Sequence, residues 1–296
     1  MSALKTDFSK PPLTFVSIKA FGDLTITLSM LRQYSNGFNG EVSLLISEHL
    51  VDLFNALNPS INVKVLALGL DVPAIYDLKK MGILRGFLSL SKVRAEITHA
   101  MSNAISTMVF DRFKWREFLI AQNNPYLVLP QIEPNIYLSY KSFFLNYGFS
   151  QDHVVYQADR LVSEIGIFPY SRVPSKNIPL SIISSICNEC SQKGFIPVVF
   201  VMDGECPIQL DGVKVVSIRK NFNSLIEAIK SMGAIASADS LPAHLAEYFY
   251  KPIYVATPVA NSYWLPEYCF HKGSWGIFSD SIDLNATFNR FLYSLN

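Results

Sequence analysis

Three loops of this 296-residue chain carry residues that could move a proton or bind a phosphate. The first contains Gly22 and Asp23, between a predicted strand and a predicted helix. An aspartate at a helix N-terminus is a favoured capping residue. The same position would let Asp23 act as a general base that removes a proton from an acceptor hydroxyl. Residue types alone leave both interpretations open.

The second loop begins at Asp239 and Ser240, where a short predicted strand runs into a helix. Backbone N–H groups in the first turn of a helix bind phosphate, and the Ser240 hydroxyl would add a donor. His244 lies one turn further along. Helix capping by Asp239 or Ser240 is the alternative, and it accounts less well for the histidine.

The third loop is YSRVPSKN, residues 170–177. It offers hydroxyls and cations that suit a diphosphate, namely Ser171, Arg172, Ser175 and Lys176. Its spacing matches no standard phosphate-binding loop, because the pattern G-x-x-x-x-G-K-S/T is absent from the sequence. A solvated loop is therefore the alternative.

The elements that must position these loops alternate between apolar, β-rich runs and helical patterns, which is typical of parallel sheets covered by helices. Predicted strands cover 13–20, 41–47, 62–68, 161–168, 195–203, 214–220, 234–238 and 252–258. The pattern occurs twice, with a domain change near 150. We predict an α/β fold with two Rossmann-like domains, 1–150 and 151–296, facing one another across a cleft, because ligands of such sheets bind beyond the carboxyl ends of the strands.

Charge and hydropathy exclude several classes of protein. Lysine and arginine total 25 against 24 acidic residues, so no general attraction to nucleic acid is expected. No stretch of about 20 uncharged apolar residues is present, and the opening segment lacks the features of a secretory signal. We expect a cytoplasmic protein, with a peripheral contact at the inner membrane as a further expectation.

Two segments stay less defined. Residues 71–150 mix cations with Leu, Phe and Trp, which favours amphipathic helices with one basic edge, either solvated or in contact with anionic lipid or a phosphorylated glycan. Within them, the prolines and tyrosines of 122–155 predict irregular connections. Cys187 and Cys190 share the apolar face of a predicted helix, so we predict buried structural thiols and no metal site.

Four segments in order resemble glycosyltransferase family 9, the heptosyltransferase family. They are SIKAFGDLTITLSMLRQY, IGIFPYSRVPSKNIP, VVFVMDGE and IASADSLPAHLAEYFYKPIYVATP. The last is the most specific, since it is similar over about 24 residues to the family segment containing Asp-Thr-Gly-x-x-His-Leu-Ala. The resemblance spans both halves of the chain and leaves 71–150 unmatched.

The resemblance implies the GT-B fold and an inverting glycosyltransferase that needs no metal and no cofactor. Asp23 would be the catalytic base, acting on a bacterial cell-surface glycan or glycolipid acceptor such as lipopolysaccharide core. The implied donor is a nucleotide sugar, ADP-heptose or another, held by the C-terminal domain. A cationic loop and a helix N-terminus would stabilise the leaving diphosphate.

The donor-binding residues that the resemblance implies are Ser171, Lys176, Glu205, Asp239, Ser240 and His244. Ser171 and Lys176 would hold the donor phosphates, and the last three would line the diphosphate site. Glu205 is the first candidate for contact with the ribose or the base of the donor, and Asp203 is the second.

Two departures from the family pattern favour a second hypothesis. Leu241 stands where the family has glycine, and Tyr170 occupies a turn that usually carries a smaller residue. Both crowd the expected diphosphate pocket. The alternative to a transferase is therefore a catalytically degenerate member that binds a glycan or a partner. A nucleotide-sugar epimerase is a third hypothesis, for which no acid and base pair is evident.

Overall fold

The computed structural model describes residues 11–34, 40–101, 106–121, 124–151, 162–205 and 208–296. The chain divides into two compact units. Unit 1 comprises Met1–Gln131 and Tyr140–His153, and unit 2 comprises Ile132–Ser139 and Val154–Asn296. The division passes through a helix, α6 (Ile136–Asn146). Assignment of 1–150 to the acceptor and of 151–296 to the donor remains a prediction.

Unit 1 is built on a five-stranded parallel sheet in the order β3-β2-β1-β4-β5. Its strands are β1 (Leu13–Ser17), β2 (Val42–Ile46), β3 (Lys64–Ala67), β4 (Thr107–Phe110) and β5 (Tyr126–Val128). Every residue of β1 and β2 is buried. This follows from their near-continuous apolar sequences, which suit strands covered on both faces.

The helices of unit 1 connect these strands. They are α1 (Phe21–Tyr34), α2 (Val51–Leu57), α3 (Ile75–Met81), α4 (Ile83–Ala100), α5 (Trp115–Ala121) and the second half of α6, with a 3-10 turn at Glu48–Leu50. An aromatic cluster anchors α6 to β1: the ring of Phe144 lies 5.3 Å from Phe15 and 4.9 Å from Tyr34. The Tyr140 hydroxyl lies 2.7 Å from Thr27 Oγ1 in α1.

Unit 2 is built on a six-stranded parallel sheet in the order β11-β10-β9-β6-β7-β8. Its strands are β6 (Glu164–Phe168), β7 (Ile196–Met202), β8 (Lys214–Ile218), β9 (Ala234–Ala238), β10 (Ile253–Thr257) and β11 (Trp275–Ile277). Its helices are α7 (Leu180–Gln192), α8 (Phe222–Ser231), α9 (Leu241–Tyr248), α10 (Glu267–Lys272) and α11 (Ser281–Tyr293), with 3-10 turns at Pro174–Lys176 and Ser262–Trp264.

Both sheets reverse their strand order at one point, and this point positions the candidate sites. In unit 1 the chain moves outward from β1 through β2 and β3, then returns to place β4 on the other side of β1. In unit 2 the same reversal lies between β6 and β9. Loops after the two strands at a reversal diverge and leave a crevice, which is where open α/β sheets bind ligands.

The prediction of irregular chain over 122–155 is wrong for part of that segment. It contains β5 and α6 among the described residues. The three prolines are compatible with these elements because each lies outside them. Pro125 precedes β5, Pro130 follows it, and Pro134 precedes α6. β5 is an edge strand, where a flanking proline costs no ladder hydrogen bond.

The predicted burial of Cys187 and Cys190 on one helix face is confirmed. Cys187 and Cys190 lie on the buried face of α7 with Ile182, Ile183 and Ile186. Burial raises the pKa of the Cys187 thiol to about 11, so it stays protonated and unreactive at neutral pH. Cys269 is also buried, and Cys206 lies outside the described residues.

Candidate functional site

The site in unit 1 is formed by the two loops that diverge at its sheet reversal. The loop after β1 carries Lys19 and leads into α1, whose first turn contains Asp23. The loop after β4 begins with Asp111. Because β1 and β4 are neighbouring parallel strands, these charged residues meet at the same edge of the sheet.

Asp23 lies within the first turn of α1 and reaches back to its start. The Ala20 carbonyl accepts the first helical hydrogen bond, from Leu24 N–H at 3.1 Å, so Ala20 is the N-cap. The Asp23 carboxylate accepts a hydrogen bond from the Ala20 N–H. This is the reciprocal half of a capping box, and it fixes the direction of the carboxylate without occupying all of its acceptor capacity.

Asp111 is a buried carboxylate that joins the two loops. It forms an ion pair with the Lys19 ammonium group and accepts a hydrogen bond from the Arg112 N–H at 2.7 Å. Both contacts fall on its Oδ1. Its other oxygen, Oδ2, is buried and has no hydrogen-bond partner among the described residues. A buried carboxylate oxygen without a partner is costly, and such groups are common where a ligand completes the bonding.

These neighbours determine the proton affinity of Asp23. Burial and the negative charge of Asp111 raise the pKa of the Asp23 carboxyl to about 7, against the opposing effects of Lys19, Arg112 and the Ala20 hydrogen bond. A carboxyl group with this pKa is partly ionised near neutral pH and is a much stronger base than an ordinary aspartate. That is the property a general base requires.

His49 holds the loop after β1 against the neighbouring loops. Its Nδ1 lies 2.9 Å from Asp71 Oδ1 and 3.0 Å from Ser47 Oγ, and its Nε2 lies 3.3 Å from the Lys19 carbonyl oxygen. Its ring also contacts that of Phe21 edge-on. The ends of β1, β2 and β3 are thereby tied together beside Asp23.

The site in unit 2 lies at the equivalent place in its own sheet. Lys176, in the 3-10 turn after β6, extends its ammonium group to 2.7 Å from Asp239 Oδ2 at the end of β9. The Lys176 side chain is 37% exposed and that of Asp239 is 17% exposed. The ammonium group therefore has both a partner that positions it and access to a bound anion.

Helix α9 begins directly after this ion pair. Ser240 is its N-cap, but the Ser240 side chain makes no capping hydrogen bond. Its Oγ lies 3.4 Å from the carbonyl oxygens of Tyr170 and Ala238, at the outer limit of hydrogen bonding. Pro242 has no N–H, and the Ala243 N–H donates to the Ser240 carbonyl at 3.1 Å, so this helix terminus offers an anion the Leu241 N–H and the positive end of the helix dipole.

The two bulky substitutions cause no backbone strain. Among the described residues, the positive-φ positions outside glycine are Asn58 and Tyr250, so Tyr170 and Leu241 have ordinary backbone conformations. Leu241 is only partly buried, and Tyr170 packs against the hydrophobic core of unit 2. Neither position needs glycine for its dihedral angles.

His244 lies one turn into α9 and is buried. Its Nδ1 is 3.2 Å from the hydroxyl of Tyr137, which comes from the part of α6 that belongs to unit 2. Burial lowers the pKa of His244 to about 4, with Asp239 opposing this shift and Lys176 adding to it. The imidazole is therefore neutral at pH 7 and offers hydrogen bonding rather than charge.

Ser171 lies in the loop that supports Lys176. Its N–H donates to Asn177 Oδ1 at 2.8 Å, and its Oγ accepts from the Val173 N–H at 3.2 Å. The Asn177 side chain thus closes the loop across its base. This closure holds the 3-10 turn that carries Lys176.

Glu205 is placed one strand away, after β7, on the side of β6 opposite β9. Its Oε2 accepts a hydrogen bond from the Met202 N–H at 2.9 Å, within its own turn. Asp203 accepts from Ser217 Oγ at 3.0 Å. The structure therefore brings together Lys176, Asp239, Ser240 and His244, and it separates the acidic turn from that group by one strand.

Three residues of these sites escaped the sequence analysis: Lys19, Asp111 and Tyr137. A usable signal existed for the first two, because Asp111 directly follows β4 and Lys19 lies two residues after the end of β1. Tyr137 carried no such signal, since it precedes its partner His244 by more than 100 residues and comes from a segment predicted to be irregular.

The described ranges contain no group of three or more His, Cys, Asp or Glu side chains arranged to hold a metal ion. Within the same ranges, none of the helices combines the length and the apolar character needed to cross a membrane.

No protein-family model matches the sequence. No curated protein matches it either. Solved structures do match the fold. A glycosyl transferase family 9 protein from Veillonella parvula aligns with a TM-score of 0.62 at 14% identity, covering 94% of this chain and 89% of that one.

Two Escherichia coli structures align similarly. The ADP-heptose lipopolysaccharide heptosyltransferase II gives a TM-score of 0.58 at 13% identity, covering 97% of this chain and 98% of that one. The heptosyltransferase WaaC with ADP gives 0.56 at 11% identity, covering 83% and 87%. The chain therefore has the GT-B fold of these glycosyltransferases, and the resemblance to family 9 is confirmed at the level of the fold.

Proposed function

We propose that this protein is an inverting glycosyltransferase that works without a metal ion. Unit 1 binds the acceptor and supplies Asp23 as the base, and unit 2 binds the nucleotide-sugar donor through Lys176 and the start of α9. The observation that carries the proposal is the state of Asp23: a carboxyl whose pKa is raised to about 7, directed by the Ala20 N–H, at the reversal point of its sheet.

The reaction is a single displacement. The Asp23 carboxylate takes the proton of an acceptor hydroxyl as the hydroxyl oxygen attacks the anomeric carbon of the donor sugar. The bond between that carbon and the diphosphate oxygen breaks, the configuration inverts, and the nucleoside diphosphate leaves with the electron pair. General-base assistance of this kind contributes about a hundred-fold to ten-thousand-fold in rate.

Groups of unit 2 stabilise the negative charge that develops on the leaving diphosphate. Lys176 supplies a cation 2.7 Å from Asp239, and the start of α9 supplies the Leu241 N–H and the positive end of the helix dipole. These groups are held in place before the reaction, so they stabilise the developing negative charge with little reorganisation. His244 is neutral and hydrogen-bonded to Tyr137, so its side chain is held in one orientation beside the diphosphate site.

The finer proposal concerns the substrates. Two of the structures that share the fold are heptosyltransferases, one of them in complex with ADP. We propose ADP-heptose as the donor and a phosphorylated core glycan of lipopolysaccharide as the acceptor. Glu205, whose carboxylate is oriented by the Met202 N–H after β7, is the candidate contact for the ribose or the base.

Calorimetric titration with ADP, UDP and GDP tests the donor site. Wild type is compared with Lys176→Ala and with Lys214→Ala, a control that removes an exposed lysine from β8 in the same unit. We expect one nucleotide to bind wild type and Lys214→Ala, and to bind Lys176→Ala at least about ten-fold more weakly. Binding of none of them by wild type would overturn the proposal.

Product release tests the reaction itself. Incubation with the nucleotide sugar that binds, and with a core-glycan acceptor, should release nucleoside diphosphate in wild type and in Asp52→Asn, which alters an exposed aspartate of α2. Asp23→Asn should bind the donor but release almost none. Nucleotide binding without release in wild type would instead assign the chain to the glycan- or partner-binding alternative.

A further inference from the structure

Helix α4 has one face that packs into unit 1 and one that does not. The packed face carries Gly86, Leu90, Val93 and Ile97, at helical spacing and all buried. This face holds the helix against the rest of the unit, and α4 also contacts both α3 and α5. The opposite face is free to meet another surface.

That opposite face carries large apolar side chains. Leu84 is 81% exposed, Phe87 is 59% exposed and Leu88 is 64% exposed. They occupy positions i, i+3 and i+4 of one helix and therefore form a single stripe. Exposed apolar residues scattered singly need no explanation, but a contiguous stripe of this kind indicates a contact surface.

Cations border the stripe. Arg85 and Lys92 lie two helical turns apart on one flank, and Arg94 lies on the other; all three are exposed. The one acidic residue of α4, Glu96, is half-buried and accepts a hydrogen bond from the Gly69 N–H at 3.2 Å. The Glu96 carboxylate therefore points toward the loop that contains Gly69. The charged side chains left on the exposed face of α4 are the three cations, which make this face positive.

The neighbouring helix adds to this layer. On α5, Trp115 is 48% exposed and Phe118 is 56% exposed. Tryptophan and phenylalanine on exposed helices are typical of the interface between lipid headgroups and acyl chains. Helix α5, which packs against α4, therefore adds exposed aromatic side chains to the same unit.

We propose that the exposed face of α4, made of Leu84, Phe87 and Leu88 flanked by Arg85, Lys92 and Arg94, docks in the plane of an anionic phospholipid bilayer. The apolar stripe enters the acyl-chain boundary and the flanking cations pair with lipid phosphates. A second copy of the chain fits less well, because a two-fold contact would bring the same cations against each other. This inference is independent of the sugar-transfer reaction.

Flotation with vesicles tests the proposal on the full chain. Vesicles of phosphatidylcholine alone are compared with vesicles containing phosphatidylglycerol, at low and high salt. We expect wild type to float with the anionic vesicles at low salt and to be released by salt, since headgroup attraction is screened. Each cation removed should weaken partitioning about five-fold.

Two sets of variants separate the contributions. Leu84→Ser/Phe87→Ser/Leu88→Ser removes the stripe, and Arg85→Gln/Lys92→Gln/Arg94→Gln removes the charge. The control, Ile132→Ser/Val259→Ser/Ile282→Ser, changes side chains of unit 2 that are 90%, 61% and 83% exposed. Both α4 variants should lose at least about ten-fold in partitioning, whereas the control should match wild type.

Three results would overturn the proposal: no flotation of wild type with anionic vesicles, equal flotation of the stripe variant, or equal binding to neutral vesicles at all salt concentrations. Self-association of wild type that the stripe variant abolishes, without flotation, would identify a second copy as the occupant. Circular dichroism and thermal unfolding of each variant confirm that the fold is retained.

Discussion

The Lys176 ammonium nitrogen lies 2.7 Å from Asp239 Oδ2, which joins the loop after β6 to the end of β9 across the reversal point of the unit 2 sheet. The pair stands in front of the first turn of α9. An anion bound there would gain the lysine and the helix terminus but would meet the aspartate as well. Anion affinity therefore depends on the balance between these charges, and mutation of either residue should change it.

Lys176→Ala should weaken binding of the nucleoside diphosphate at least about ten-fold, because it removes the cation and leaves the Asp239 charge unopposed. Lys176→Ala/Asp239→Ala should recover part of that loss. Titration calorimetry on the two single variants and the double variant measures the coupling directly. Additive losses would show that the two side chains act independently and would count against the paired site.

Asp23→Asn should lower kcat by about a hundred-fold to ten-thousand-fold with little change in donor affinity, because amide nitrogen and oxygen cannot take up the acceptor proton. In wild type, kcat/KM should rise with pH through about 7 and then level off, following ionisation of Asp23. Steady-state assays from pH 5.5 to 9 measure both effects. A rate independent of pH over this range would exclude Asp23 as the base.

Asp111→Asn should shift that pH profile to lower pH. The Asp111 charge raises the pKa of Asp23, whereas Lys19 and Arg112 lower it, so removing the acidic neighbour leaves the two cations dominant. The variant should therefore gain activity at pH 6 relative to pH 8. A purely structural role for Asp111 would lower the rate at every pH without moving the midpoint.

Asp23→Asn should also stabilise the protein at alkaline pH. The native pKa of about 7 lies above the ordinary value of 3.8, so stability is lost progressively as pH rises between these two values and the buried carboxyl ionises. We expect the free energy of unfolding to increase on the order of 2 kcal/mol at pH 8 and to change little at pH 4. Urea unfolding at both pH values checks this. An equal change in the free energy of unfolding at pH 4 and pH 8 would contradict the proposed link between Asp23 ionisation and stability.

His244→Gln should reduce the loss of stability in acid. The native imidazole stays neutral down to a pKa of about 4, whereas the unfolded chain takes up a proton near 6.5. Wild-type stability therefore falls between these values, by up to about 3 kcal/mol from this residue. Unfolding free energies at pH 7, 5.5 and 4 should fall less in the variant. His271→Gln, at an exposed position of α10, serves as the control.

The sequence determined the repeated α/β pattern because it rests on local periodicity. Strands β1, β2 and β9 lie within or at predicted runs, and 234–238 coincides with β9 as observed. The same locality made Asp23, Lys176 and Asp239 candidates, since each lies between a strand and the first turn of the helix that follows it, or in that turn. The cysteines of α7 were assigned correctly because i, i+3 spacing is a property of the helix itself.

The tertiary structure alone decided which of these residues act together. Strand order is set by packing between segments far apart in sequence, and only this order places Asp111 beside Lys19, 92 positions earlier in the chain. The same holds for Tyr137 and His244, which are separated by 107 positions. Burial and the charges of such distant neighbours, rather than the identity of an aspartate or a histidine, raise the pKa of Asp23 and lower that of His244.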